Sequence, residues 1–222
     1  MGRFAFSRGN YVKRTFIAVG AALLAVAGCS GAPDAPVSAP APDYAAMARP
    51  LLLPEEVTAA KGLVRAGEPV EGVTALVQCP DLASAGQAAA GITTAWTWSG
   101  ATQQAKITQY GVVYRDVAGK DVVKQARAAS GCHRDFGSVE SALHIDEYFY
   151  TQENQGPTKP FVDDRYAYCL VNSVRAHQIC TALQAKGDRV VRMTIDITGP
   201  QTDLDTIKVS TFAQAVTDRL VA

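Results

Sequence analysis

The stretch YAYCLVNSVRAHQICTAL, residues 166–183, carries two cysteines with a histidine between them. Cys169, His177 and Cys180 could ligate a metal ion, supply a thiol nucleophile or close a disulfide. In an extended strand, side chains an odd number of positions apart point to opposite faces, so His177 turns away from Cys180. The chain has no C-x-x-C pair and no H-E-x-x-H helix motif, the spacings at which ligands converge on zinc. Cys132 and His133 are neighbours, and adjacent side chains rarely meet at one reacting atom. No G-x-S-x-G elbow, glycine-rich phosphate loop or paired-carboxylate signature is present. No catalytic residue, metal ligand or cofactor is therefore assigned. His133, His144 and His177, the three histidines of the chain, read as ordinary strand or surface residues.

The remaining use of the cysteines depends on the redox compartment. Arg3, Arg8, Lys13 and Arg14 open the chain without an acidic residue, and the apolar run FIAVGAALLAVAG follows. That run is too short for a permanent transmembrane helix and has the build of a signal-peptide core. It ends Val26-Ala27-Gly28-Cys29-Ser30, which resembles the bacterial lipobox. The resemblance implies cleavage before Cys29, lipidation of its thiol, and a mature chain anchored to the extracytoplasmic face of the cell membrane. Losing residues 1–28 removes four basic residues and no acid, leaving 17 basic against 21 acidic, a net charge of −4. An acidic balance argues against nucleic acid as a partner. Thiols outside the cytoplasm tend to be oxidised. Cys79, Cys132, Cys169 and Cys180 then read as two disulfides, for which three pairings exist.

The elements must place those sulfurs. Residues 29–50 are rich in proline, alanine and serine and read as the lipidated cysteine followed by a structureless tether. Residues 51–222 are long enough for one domain with a sizeable core. A short helix is expected over LLLPEEVTAAKGL, with Pro54 at its first helical position. ITTAWTW alternates, with Ile92, Thr94, Trp96 and Trp98 on one face. It forms a hairpin with QQAKITQYGVVYR. Residues 117–130 are expected to be helical, burying Val122, Val123, Ala126 and Ala129, with Gly131 as C-cap. ALHIDEYFYT alternates as a strand. Three more strands follow near 165–173, 176–185 and 189–198, and then an amphipathic helix at 202–221. This order predicts an α+β domain, a twisted antiparallel sheet with helices packed on one face and the opposite face wetter.

Register tests the disulfide. A hairpin centred between residues 174 and 175 sets Cys169 opposite Cys180, Tyr166 opposite Leu183, Tyr168 opposite Thr181 and Leu170 opposite Ile179. Continuing through a loop at Lys186-Gly187-Asp188 sets Val191 against Leu183 and Ile195 against Ile179. The bulky side chains then share one face and the cysteines the other. Closing this loop stabilises by about 3 kcal/mol in the chain-entropy model, and a Cys79–Cys132 bridge, which follows by elimination, by about 4 kcal/mol.

The membrane anchor, proline-rich tether and cysteine order Cys79…Cys132…Cys169…Cys180 resemble the PknH-like extracellular sensor domains of mycobacteria and related actinobacteria, over roughly residues 51–222. In that family the domain is the outer part of a receptor kinase or a free-standing lipoprotein. The resemblance implies two disulfides, Cys79–Cys132 and Cys169–Cys180, and a sheet with a ligand cleft. Where many members carry a tryptophan shortly before the second cysteine, this chain has Ala129-Ser130-Gly131.

The expected function is ligand binding or sensing in the cell envelope, with a small molecule or envelope component bound on the wetter sheet face. The expected register exposes Arg165, Gln178, Arg192, Thr194 and Asp196 there, joined by His144 and Tyr148 if their strand pairs nearby. The alternatives are a lipoprotein that contacts an envelope protein partner, marked by an exposed apolar patch, and an extracellular hydrolase, which would need titratable groups converging in a cleft.

Overall fold

The computed structural model describes residues 41–77, 82–129, 143–144, 162–172, 176–199 and 210–222. The described part opens with helix α1 (Tyr44–Ala48), a 3-10 turn (Arg49–Leu51) and helix α2 (Glu55–Ala59). Strands β1 (Val64–Arg65), β2 (Val70–Glu71), β3 (Ala88–Ser99) and β4 (Gln104–Tyr114) lead to helix α3 (Gly119–Ala128). Strands β5 (Leu143–His144), β6 (Asp164–Asn172), β7 (His177–Lys186) and β8 (Arg189–Thr198) precede helix α4 (Ser210–Val221).

The expected antiparallel sheet forms. Its order is β1-β3-β4-β8-β7-β6-β5, with β2 also paired to β3. β3 is dense in threonine and tryptophan, side chains that suit a pleated, half-buried surface. Its hairpin with β4 runs from Ala88↔Tyr114 to Ser99↔Gln104, with a bulge between Ala88 and Ala90. The β6–β7 register is the one the cysteines require: Cys169 faces Cys180, Tyr166 faces Leu183 and Leu170 faces Ile179. The two cysteines are joined as a disulfide, with Cα atoms 4.0 Å apart. Cys79, Cys132 and Gly131 lie outside the described residues, as does Cys29.

The next register is one residue off the expectation. The loop after β7 is the two-residue turn Gly187-Asp188, because Lys186 pairs with Arg189. Gly187 has φ +60°, which the first central position of a type II′ turn demands and glycine adopts without a Cβ penalty. Leu183 therefore faces Arg192, not Val191, and Ile179 faces Asp196, not Ile195. A one-residue slip exchanges the two faces of β8, so Val191, Met193, Ile195 and Ile197 join Cys169 and Cys180.

This corrects the expectation of a single helical layer. α4 covers the cysteine face: Phe212, Ala213, Val216 and Leu220 pack with Cys169, Cys180, Met193 and Ile195. Gln184 donates to the Ala213 carbonyl at 3.0 Å and accepts from the Thr217 hydroxyl at 2.8 Å, fixing that helix. α3 covers one end of the opposite face, where Val122, Val123 and Ala126 pack with Tyr166, Leu183, Ala185 and Val190. Burial on both sides makes β7 inaccessible from Gln178 to Ala185. The α3 boundaries fall inside the expected 117–130, and Asp121 and Arg127 sit at the dipole-favoured ends. Arg127 ties that helix to β6, donating to Asp164 Oδ1 at 2.9 Å and the Arg165 carbonyl at 2.7 Å.

Order also begins earlier than composition predicts. The tether was expected to run to residue 50, yet Asp43 caps α1 by accepting from the Ala46 amide at 3.0 Å. Ala48 and Leu51 are core residues. Pro54 is the N-cap of α2, in extended backbone, and Glu55 takes the first helical position. Among the described residues, no helix is long and apolar enough to cross a membrane.

Candidate ligand-binding face

The sheet face not covered by α4 carries a graded set of side chains across β4, β8, β7 and β6. Tyr110, Arg192, Leu183 and Tyr166 form one cross-strand row. The next is Thr108, Thr194, Thr181 and Tyr168, and the next Lys106, Asp196, Ile179 and Leu170. α3 seals the end beyond Arg192, so polarity rises with distance from that helix. The rows follow from strand periodicity alone, which sends every second residue to this face.

Three interactions organise it. His177 Nε2 and Asp196 Oδ1 lie 2.6 Å apart across β7 and β8. The Thr181 and Thr194 hydroxyls meet at 3.3 Å in the adjacent row. Arg192 lies under the segment that follows β2: its Nη1 donates to the Ala75 carbonyl at 2.8 Å and the Leu76 carbonyl at 3.2 Å. Its guanidinium stands 5.4 Å from the Tyr110 ring centroid. The Tyr110 hydroxyl accepts from the Thr74 amide at 3.0 Å, so the same segment is held at two points. Gly91 makes room for that phenol, since a Cβ there would come within 2.5 Å of the Tyr110 hydroxyl.

Burial sets the electrostatics. It pushes the Tyr168 phenol above its ordinary value, partly offset by a hydrogen bond with Thr181. It pushes Tyr114 higher still, helped by Tyr110. It lowers Arg192, against the nearby phenols of Tyr168, Tyr110 and Tyr114.

The expected site residues divide between the two faces. Arg192, Thr194 and Asp196 lie together on the face just described. Arg165 and Gln178 are on the α4 face; Gln178 is buried and donates to Cys180 Sγ at 3.1 Å, so it supports the disulfide and does not reach a ligand surface. The backbone of His144 pairs with Tyr168. Tyr148 lies outside the described residues. Thr181, Tyr168, Lys106 and His177 belong to this face and were not expected there as site residues. Their signal was Gly187-Asp188: a two-residue turn reading would have put His177 and Asp196 on one side.

Two open depressions adjoin the sheet. One, of about 470 Å³, is lined by Thr97, Lys106, Asp196 and Thr198 of this face together with Trp98 and Ser99. The other, of about 710 Å³, lies at the opposite strand ends among Tyr44, Tyr114, Asp116, Lys120, Asp163 and Asp188. Among the described residues, no three His, Cys, Asp or Glu side chains converge as a metal site would. The face offers hydroxyl donors and acceptors, a histidine–carboxylate contact, a cation and aromatic surface, the materials of recognition. Compared with known proteins, the chain matches no family model, and no curated protein matches it.

Proposed function

We propose that this chain is a lipid-anchored protein of the cell envelope whose α+β domain binds a small molecule or envelope component on the face bearing Arg192, Thr194 and Asp196. The reading treats it as a free-standing relative of the PknH-like extracellular sensor domains. The observation that carries it is the run Thr108–Thr194–Thr181–Tyr168, four hydroxyl side chains in one cross-strand row of the sheet face that α4 leaves uncovered. Thr181 and Tyr168 are buried and Thr181 pairs with Thr194, so the partly exposed Thr108 and Thr194 are the hydroxyls of the row that solvent reaches. A binding surface uses them to orient a ligand. The test is a thermal-shift screen of the mature protein against envelope glycans, lipids and metabolites, since a ligand that binds only the folded state raises Tm. A rise removed by Thr194→Val supports the reading, and a panel that leaves Tm unchanged sinks it. Anchoring is tested separately, by incorporation of labelled fatty acid into the chain and its loss in Cys29→Ser.

A second reading, contact with an envelope protein, draws on three exposed valines at the sheet edge. Val64, Val70 and Val73 are 66%, 67% and 50% exposed. Crosslinking in intact cells through residue 70 that recovers no partner would count against it.

A further inference from the structure

Among the described residues, Arg192 has no carboxylate within ion-pair distance. Its interactions are the two carbonyls that hold Nη1 and the Tyr110 ring. Two other arginines near this sheet do have carboxylates: Arg127 meets Asp164 at 2.9 Å and Arg65 meets Glu55 at 3.6 Å. Asp196, the acidic side chain of the same strand and face, is engaged by His177. Among the described residues, Arg192 Nε is buried with no acceptor, as is Arg65 Nε, and Nη2 of Arg192 makes no hydrogen bond.

The unused atoms are the informative ones. A guanidinium offers its donors along edges, and the Nε–H and Nη2–H bonds run parallel on the edge away from the Cδ side, the pair that a carboxylate or phosphate bridges with two oxygens. Here the segment 74–76 takes Nη1 alone and so fixes the plane of the guanidinium while leaving that forked edge unused. Leaving a desolvated cationic donor unbonded is costly, more so than for a neutral one. The two carbonyl bonds account for Nη1, and the forked edge is the part of the cation that they leave unexplained. Thr194 follows two positions on, on the same face, with its hydroxyl next to that of Thr181.

We propose that the forked edge of Arg192 anchors the oxyanion of a small ligand, a carboxylate or phosphate, with the partly exposed Thr194 hydroxyl, braced by the buried Thr181, orienting the body attached to it. This rests on the ligand-binding reading of the same face and narrows it to anionic ligands. Tyr110 braces the cation from the neighbouring strand, and no described carboxylate competes with a ligand for its charge.

The test is nuclear magnetic resonance of the full-length chain labelled with 15N-arginine, following the Nε–H signals during titration with inorganic phosphate and, separately, benzoate. Sodium chloride at matched ionic strength is the reference, and the Arg192 signal is assigned by its loss in Arg192→Lys. The expected result is a saturable shift of the Arg192 signal with one of the two probes, while Arg65, already facing Glu55, does not move. Which probe acts tells phosphate from carboxylate. In Arg192→Lys, which keeps the charge but not the fork, the probe concentration giving half the rise in Tm increases about tenfold; an unchanged midpoint would overturn the forked geometry. An Arg192 signal that neither probe moves more than chloride does overturns the proposal. If the thermal-shift panel then still yields a neutral stabilising ligand, only the anionic inference falls; if that panel is silent too, the ligand-binding reading falls with it.

Discussion

Gln109 and Leu51 lie 58 positions apart and are joined by a 2.8 Å hydrogen bond, from the Gln109 side-chain amide to the Leu51 carbonyl. The other end of the same side chain accepts from the Leu53 amide at 2.9 Å. Gln109 is wholly buried, so one glutamine satisfies two main-chain groups of the N-terminal segment where water cannot reach them. Gln109→Leu keeps the volume and strands both groups. The expected loss is about 2–6 kcal/mol, at about 1–3 kcal/mol for each of the two unsatisfied groups. Urea unfolding measures it, and limited proteolysis should show new cleavage between residues 41 and 53. Gly111→Ala reaches the same end sterically, because a Cβ there would meet Leu51 Cβ at 2.8 Å. Unchanged stability in both variants would mean the segment is not held through Leu51.

The Cys169–Cys180 bridge links two strands that are paired along their whole length. Its effect therefore falls mainly on the unfolded chain, where it closes a short loop. Cys169→Ala/Cys180→Ala should lose about 3 kcal/mol, or about 6–12 °C in Tm for a domain of this size. Wild type scanned with and without reductant provides the check, since reductant should lower its Tm and leave the double variant unaffected by this bridge. A double variant as stable as wild type would assign the sulfurs a role other than stapling.

That staple was legible because it depends on local arithmetic. Tyr166, Tyr168 and Leu170 alternate with Ala167 and Cys169, and only one hairpin register matches both sets across β7. The β7–β8 register was not legible by the same logic, because Val190, Val191, Met193 and Ile195 supply apolar groups to both faces of β8. Because β7 is buried on both faces, the apolar stripe of β8 finds partners in either register, and a three-residue loop is as consistent as the two-residue turn that forms. The error moved Arg165 and Gln178 to the binding face and His177 off it. The early start of order was hidden for a different reason: Ala48 and Leu51 gain their burial from Ile107, Gly111 and α4, contacts far along the chain that local composition does not contain.

Gly119 makes an unusual demand on a helix. Alanine is the better helix former by about 1 kcal/mol, and an exposed glycine near a helix start would normally gain from the exchange. A Cβ at Gly119 would instead come within 2.7 Å of the Arg189 carbonyl and 3.1 Å of Ala185 and Val190 side chains. The Gly119 amide also donates to the Gly187 carbonyl at 2.7 Å, so α3 is pressed against the β7–β8 turn. Gly119→Ala should destabilise by about 1–3 kcal/mol, the usual range for overpacking. Because the clash lifts α3 off Tyr166 and Leu183, near-ultraviolet circular dichroism from the tyrosines should change as well. A stabilised variant would show that the helix start has room to move.

Asp163 gives the domain a specific acid response. Its carboxylate accepts from Lys186 Nζ at 2.7 Å and from the Gly187 amide at 2.8 Å, pinning the chain entering β6 to the β7–β8 turn. These hydrogen bonds, the Lys186 one first, hold its pKa below the ordinary 3.8. A folded pKa below the unfolded one means that the contribution is fully present above the unfolded value and is lost as pH falls through the folded one. The stability gap between wild type and Asp163→Asn should therefore be constant from pH 7 to about pH 5 and shrink steadily below about pH 4. Its size is modest, since the side chain is 33% exposed and Lys186 39% exposed, and salt should reduce it. Urea unfolding of both proteins at several pH values between 7 and 2.5, at low and high salt, provides the check. A gap that stays level down to pH 2.5 would mean that the charge on Asp163 contributes nothing and that its oxygens act only as neutral acceptors for the turn.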